Sequence, residues 1–100
     1  MLHVTKEIQK DNTVYLECIF RNIQGLPVDT DSTPQYSILS ESEKVIDQGY
    51  LVKRKDGYYG MYYTPDIIGV YNIKYVGSID QKVVVLKSNF KVVSNTTSKS

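Results

Sequence analysis

The sequence is short of the residues that most chemistry needs: 100 positions hold one cysteine, one histidine, three prolines and no tryptophan. A lone Cys18 excludes an internal disulfide, so the chain must be stable on packing alone. Cys18 and His3 are the sole thiol and imidazole, and they fall in separate stretches, so neither a Cys–His pair nor a Ser–His–acid triad has a basis. One Cys and one His cannot furnish a structural zinc site, and no catalytic residue, metal or cofactor is expected. Long apolar runs are missing as well. The longest is the four residues Val83 to Leu86, against the roughly 18 that span a bilayer. An excess of one charge is also lacking: 12 Lys and Arg against 11 Asp and Glu leave +1, a field that gives no reason to expect nucleic acid or an anionic membrane. Met1 to Glu7 shows neither the basic nor the apolar stretch of a signal peptide, so export by the general route is not expected. The Asn95-Thr96-Thr97 sequon is accordingly read as chance.

What is present is a β-forming composition. Hydrophobic residues make up 41% and charged residues 23%, ordinary for a folded domain, and nine tyrosines stand against two phenylalanines. A chain of this length buries roughly 65% of the surface its unfolded form exposes, which suffices for one modest core. Thr13 to Asn22 alternates, with Val14, Leu16, Cys18 and Phe20 on one face and Tyr15, Glu17 and Arg21 on the other. Before it, Leu2, Val4, Lys6 and Ile8 suggest a first strand ended by Lys10-Asp11-Asn12. Gln24 to Pro34 gathers turn formers into a loop. Tyr36 and Ile38 mark a third strand, and Val45 to Arg54 reads as a fourth. Asp56-Gly57 is a tight hairpin signal leading to a strand with Tyr59, Met61 and Tyr63 on one face. Tyr71, Ile73 and Tyr75 share the inner face of the next. Gly77 to Gln81 reads as a hairpin loop, and Lys82 to Val93 as the last strand, with Val84, Leu86, Phe90 and Val92 inward and a bulge at Ser88-Asn89. The expectation is an all-β, two-sheet antiparallel sandwich of about seven strands, one domain over residues 1–93 with a polar tail at 94–100.

Residues that could carry function are then few. Asp29 and Asp31 share a loop and could hold calcium with backbone carbonyls, though turn chemistry accounts for them equally well. Gly57 and Gly60 lack phosphate-loop spacing and read as turn and strand glycines. Lys53, Arg54 and Lys55, followed by Tyr58, Tyr59 and Tyr62, have the composition of a single-strand binder, but three charges at a hairpin tip are more often a solvated turn. Tyr59, Tyr63, Tyr71 and Tyr75 fall on inward parity. Tyr15, Tyr50, Tyr58 and Tyr62 point outward or sit at strand ends, where tyrosines are enriched at interfaces. The candidate interface is therefore Tyr15, Tyr50, Tyr58, Tyr62, Lys53, Arg54 and Lys55.

Asp66 to Ile73, with its Asp, Gly, Tyr run, resembles the lead into the penultimate strand of immunoglobulin-like domains, where a tyrosine bonds a backbone group upstream. Ile73 stands where antibody-type domains keep their second cysteine, which sets this chain apart from that subfamily. Gly25-Leu26-Pro27-Val28-Asp29, Gly57-Tyr58-Tyr59, Tyr63-Thr64-Pro65, Gly69-Val70-Tyr71 and Phe90-Lys91-Val92 are similar to the small immunoglobulin-like domains of tailed-bacteriophage structural proteins and of some prokaryotic surface proteins. The resemblance implies a non-enzymatic accessory protein of a bacteriophage virion, assembled in the host cytoplasm. It would bind larger capsid, connector or tail proteins, with self-association a further expectation. The alternative it implies is a ligand- or carbohydrate-binding module of a prokaryotic cell-surface protein.

Overall fold

The computed structural model describes residues 6–94; Leu2, His3, Val4, the Asn95 sequon and the tail beyond Ser94 lie outside the described residues. Eight strands follow one another: β1 (Lys6–Gln9), β2 (Val14–Ile19), β3 (Gln35–Leu39), β4 (Val45–Tyr50), β5 (Val52–Lys55), β6 (Tyr58–Tyr63), β7 (Gly69–Ile79) and β8 (Lys82–Val93). They form a five-stranded sheet in the order β1-β8-β7-β3-β4 and a three-stranded sheet in the order β2-β6-β5. This is the expected all-β sandwich, with no helix among the described residues.

The inward alternation read from the sequence builds the core. Leu16 and Cys18 of β2, Tyr59 and Met61 of β6, Tyr71, Ile73 and Tyr75 of β7, and Phe90 and Val92 of β8 are all buried, together with Ile8, Phe20, Ile38 and Leu51. Val14, Tyr63, Val84 and Leu86 pack against its margin, half-buried. Phe90 lies at the centre of an aromatic group, stacked on Tyr71 with centroids 5.4 Å apart and met at an angle by Tyr63 at 6.1 Å. The Tyr71 hydroxyl donates to the Ile67 carbonyl at 2.8 Å, the upstream backbone bond that the Asp-Gly-Tyr run implied. The phenol therefore enters the core with its one polar atom satisfied.

Four details differ from the sequence reading. The stretch from Val45 to Arg54 is two strands, not one, because Leu51 turns into the core and its N–H bonds the Pro34 carbonyl at 2.9 Å. The chain crosses there from the larger sheet to the smaller, which raises the strand count to eight. Pairing is antiparallel except at one edge, where β1 runs parallel to β8 with Lys6 opposite Phe90 and Gln9 opposite Val93. The last hairpin is longer and its turn tighter than expected. Gly77, Ser78 and Ile79 belong to β7, and the turn is Asp80-Gln81 alone, both at positive φ of 53° and 68°, as a two-residue hairpin turn of the primed type requires. Gly77 is there for space, since a Cβ would lie 2.7 Å from Thr30 Cγ2 and 3.1 Å from the Phe20 ring. Nor does β8 bulge at Ser88-Asn89, where its register with β7 is unbroken. Ser88 is exposed and precedes the part of β8 that β1 flanks, so its polarity is accommodated without a bulge. The irregularities fall instead between Ile38 and Leu39 and between Lys53 and Lys55.

Asp29 and Asp31, the calcium candidates of the sequence, are occupied with backbone donors. Asp29 accepts from the Gly57 N–H at 2.9 Å and from Lys53 at 2.6 Å, and so holds the β5–β6 hairpin. Asp31 accepts from the Asp80 and Gln81 N–H groups at 3.1 and 2.7 Å and from the Ser78 hydroxyl at 3.0 Å, and so holds the β7–β8 turn. Among the described residues no group of three or more His, Cys, Asp or Glu could hold a metal ion.

Two measurements bear on these bonds. Tyr71→Phe removes the donor to Ile67 while keeping the ring, and should cost about 1 kcal/mol in urea denaturation with the slope unchanged; a midpoint equal to wild type would show that the bond does not stabilise the fold. Asp29 is held below the usual carboxylate range chiefly by Lys53, and Asp31 chiefly by the Gln81 N–H. Folded values below the unfolded one, about 3.9, mean stability that is complete above that pH and lost as pH falls through the folded values. Asp31→Asn should therefore start from a lower Tm at neutral pH and lose less between about pH 5 and about pH 2 than wild type. Parallel curves would contradict the assignment.

Candidate functional site

The outer face of the three-stranded sheet carries the densest group of candidate residues, and its shape begins with a missing side chain. On β6, Tyr58, Gly60 and Tyr62 alternate outward while Tyr59 and Met61 turn into the core. Gly60 lies between Glu17 of β2 and Val52 of β5 in the register of the sheet. With no Cβ in the middle strand, side chains from the two outer strands meet above it. Arg54 reaches across to Glu17 with two bonds, Nε to Oε2 at 2.5 Å and Nη2 to Oε1 at 3.0 Å. Tyr15 lies over the same glycine, where a Cβ would come within 2.5 Å of its Cζ and hydroxyl. Its hydroxyl is 3.4 Å from Glu17 Oε2.

The result is an open groove of ≈ 630 Å³ bordered by Tyr15, Tyr62, Val52 and the Arg54–Glu17 pair. Tyr15 and Tyr62 are cross-strand partners with centroids 5.0 Å apart and planes at 52°. The tip of the half-buried Tyr15 ring lies on the Gly60 backbone and forms the floor, and Tyr62, 75% exposed, stands beside it. Hydrogen bonding from Arg54 holds the Glu17 carboxyl below its usual range, and the same bond raises the guanidinium further. Burial and then the Glu17 charge push the Tyr15 phenol up, so it stays protonated at neutral pH.

Six of the seven candidate interface residues come together on this sheet, at Tyr15, Lys53, Arg54, Lys55, Tyr58 and Tyr62. Tyr50 does not join them, because the crossing at Leu51 leaves it on β4 of the other sheet, opposite Gln35. The cationic run is largely neutralised. Lys53 is paired with Asp29 at 2.6 Å and Asp56 at 3.2 Å, Arg54 with Glu17, and the Lys55 ammonium sits over the Tyr58 ring at 4.4 Å. Glu17, Val52 and Gly60 were not among the candidates read from the sequence. A glycine isolated within Tyr-Tyr-Gly-Met-Tyr-Tyr was the available sign, since strand glycines mark close approach. Cys18 is buried, its thiol pushed up to about 12 by burial, and its burial agrees with the inward parity of its strand.

No family model matches the sequence, and no curated protein matches it. Among solved structures, the chain is similar to the crystal structure of a putative glycoside hydrolase from Bacteroides vulgatus, with a TM-score of 0.61 and 16% identity. The match covers 90% of this chain and 16% of that one. At this identity the likeness is one of fold. The expectation of an accessory protein of a bacteriophage virion is overturned: the likeness in fold is to a putative glycoside hydrolase of a bacterium, not to a phage component.

The geometry makes Gly60→Ala a sharp probe. The Tyr15 ring could swing aside, but the new methyl would also lie 2.7 Å from the Leu16 carbonyl oxygen, which cannot. Overpacking of this kind should cost about 1–3 kcal/mol in urea denaturation. It should also abolish the NMR contacts between the Tyr15 and Tyr62 rings; wild-type stability with those contacts intact would refute this account of the groove.

Proposed function

We propose that this chain is a non-catalytic binding module, a sandwich domain that works beside other domains of a larger protein and binds through the groove over Gly60. The observation that carries the reading is the state of Glu17. Glycoside cleavage uses two carboxyl groups roughly 5 to 9.5 Å apart, one kept protonated by a raised pKa. The groove has one carboxylate on its border, doubly bonded to Arg54 and lowered in pKa, so it is poorly suited to donate a proton. What remains is a surface of two angled rings and a bidentate pair, which is suited to holding a ligand rather than transforming it. The fold likeness supports the modular setting, since the matched segment is 16% of the Bacteroides vulgatus chain and leaves the bulk of that chain to other parts.

Incubated with a panel of nitrophenyl α- and β-glycosides, the protein should release no nitrophenol above the uncatalysed rate. Sustained release that disappears in Glu17→Gln would make the chain an enzyme and end this reading.

A further inference from the structure

We infer that the groove over Gly60 takes a neutral saccharide, one sugar ring of a chain resting on Tyr15 against Tyr62 with its hydroxyls on the Arg54–Glu17 pair; this rests on the reading of the chain as a binding module. The ligand class follows from what the groove offers side by side. Its apolar part is largely aromatic: the half-buried Tyr15 ring over Gly60, the exposed ring of Tyr62 and the Val52 side chain, 70% exposed. Its polar part is a bidentate ion pair joined at the border by Lys53, whose charge Asp29 and Asp56 offset. Arginine has five N–H donors, and Nε and Nη2 each spend one on Glu17, which leaves three; the carboxylate keeps unused lone pairs of its own. Donors and acceptors therefore stand together at nearly zero net charge.

Other ligand classes fit less well. A hydrocarbon would cover the rings and strip water from the Arg54 donors without replacing it, a cost of order kilocalories in proteins. An anion would gain from Arg54 and meet Glu17 beside it. A nucleic-acid strand would need the run Lys53 to Lys55 as a track, and Lys53 and Arg54 already face Asp29, Asp56 and Glu17. A pyranose has what remains: a face of C–H bonds to lay on a ring and a rim of hydroxyls that each donate and accept. The volume, ≈ 630 Å³, falls within the roughly 300–1,000 Å³ of small-molecule sites, and the groove is open to solvent, so the rest of a chain can extend beyond it.

The test is native electrophoresis of the purified protein through gels containing a soluble neutral polysaccharide, with hydroxyethylcellulose, xylan and galactomannan each used in turn and polygalacturonate as the charged comparison. Retardation is expected in at least one neutral gel. Tyr62→Ala should weaken it at least tenfold, Tyr62→Phe should keep it because the ring face and not the hydroxyl is used, and Tyr50→Ala, exposed on the other sheet, should leave it unchanged. Circular dichroism identical to wild type would establish that Tyr62→Ala is folded, as its exposure leads one to expect. The inference falls if all three neutral gels leave mobility unchanged, if Tyr62→Ala is retarded like wild type, or if polygalacturonate alone retards the protein. Such a failure is distinct from that of the module reading, which is decided by glycoside cleavage.

Discussion

Two aspartates, two residues apart in one loop, hold the tips of two hairpins that belong to different sheets. Asp29 fixes the β5–β6 hairpin through Gly57 and Lys53, and Asp31 fixes the β7–β8 turn through Asp80, Gln81 and Ser78. Between them the Thr30 N–H donates to the hydroxyl of core Tyr59 at 3.2 Å, and Thr30 Cγ2 fills the space that Gly77 leaves. In a domain with a single cysteine, this short segment supplies the cross-linking that packing between sheets does not give by itself. The groove depends on it as well. Arg54 can meet Glu17 only if β5 is held at its place beside β6, and β5 is a strand of four exposed residues with a register shift. Bonds from Lys53 and Gly57 to Asp29 keep that short edge in position.

The groove thus has the support that a binding surface needs. Its floor, Tyr15, is seated on a glycine, and its polar wall, Arg54 with Glu17, is fixed by a fork of two bonds. Each of these side chains is constrained in the unliganded chain, which would lower the ordering cost of the binding proposed for it. Tyr62 and Val52 stand mostly exposed, at 75% and 70%.

Period-two alternation made the core legible, and it located β2, β6, β7 and β8 because each of these strands has one wet face and one dry face. It failed where alternation itself failed. Tyr50-Leu51-Val52 puts three apolar residues in a row, and the middle one is where the chain changes sheets. The resemblance carried Tyr71 to its bond with Ile67, a local contact four residues back along the chain. The site was legible only in part for the same reason. Tyr15, Tyr58 and Tyr62 could be placed outward from their own strands, but the pairing of Glu17 with Arg54 spans 37 residues and a middle strand. No local pattern announces it; only the order β2-β6-β5, together with a bare glycine at the crossing point, brings the two together.

The parallel pairing of β1 with β8 has a mechanical meaning. Lys6 and Val93 lie at opposite ends of this four-position ladder, which the Lys10 N–H extends to the Val93 carbonyl at 2.9 Å. Tension drawn through the chain from Lys6 and from Val93 would therefore run along the two strands in opposite senses. The bonds between them would be sheared together rather than peeled in turn, so this edge resists extension as a unit and would act as a clasp in a protein pulled from both sides.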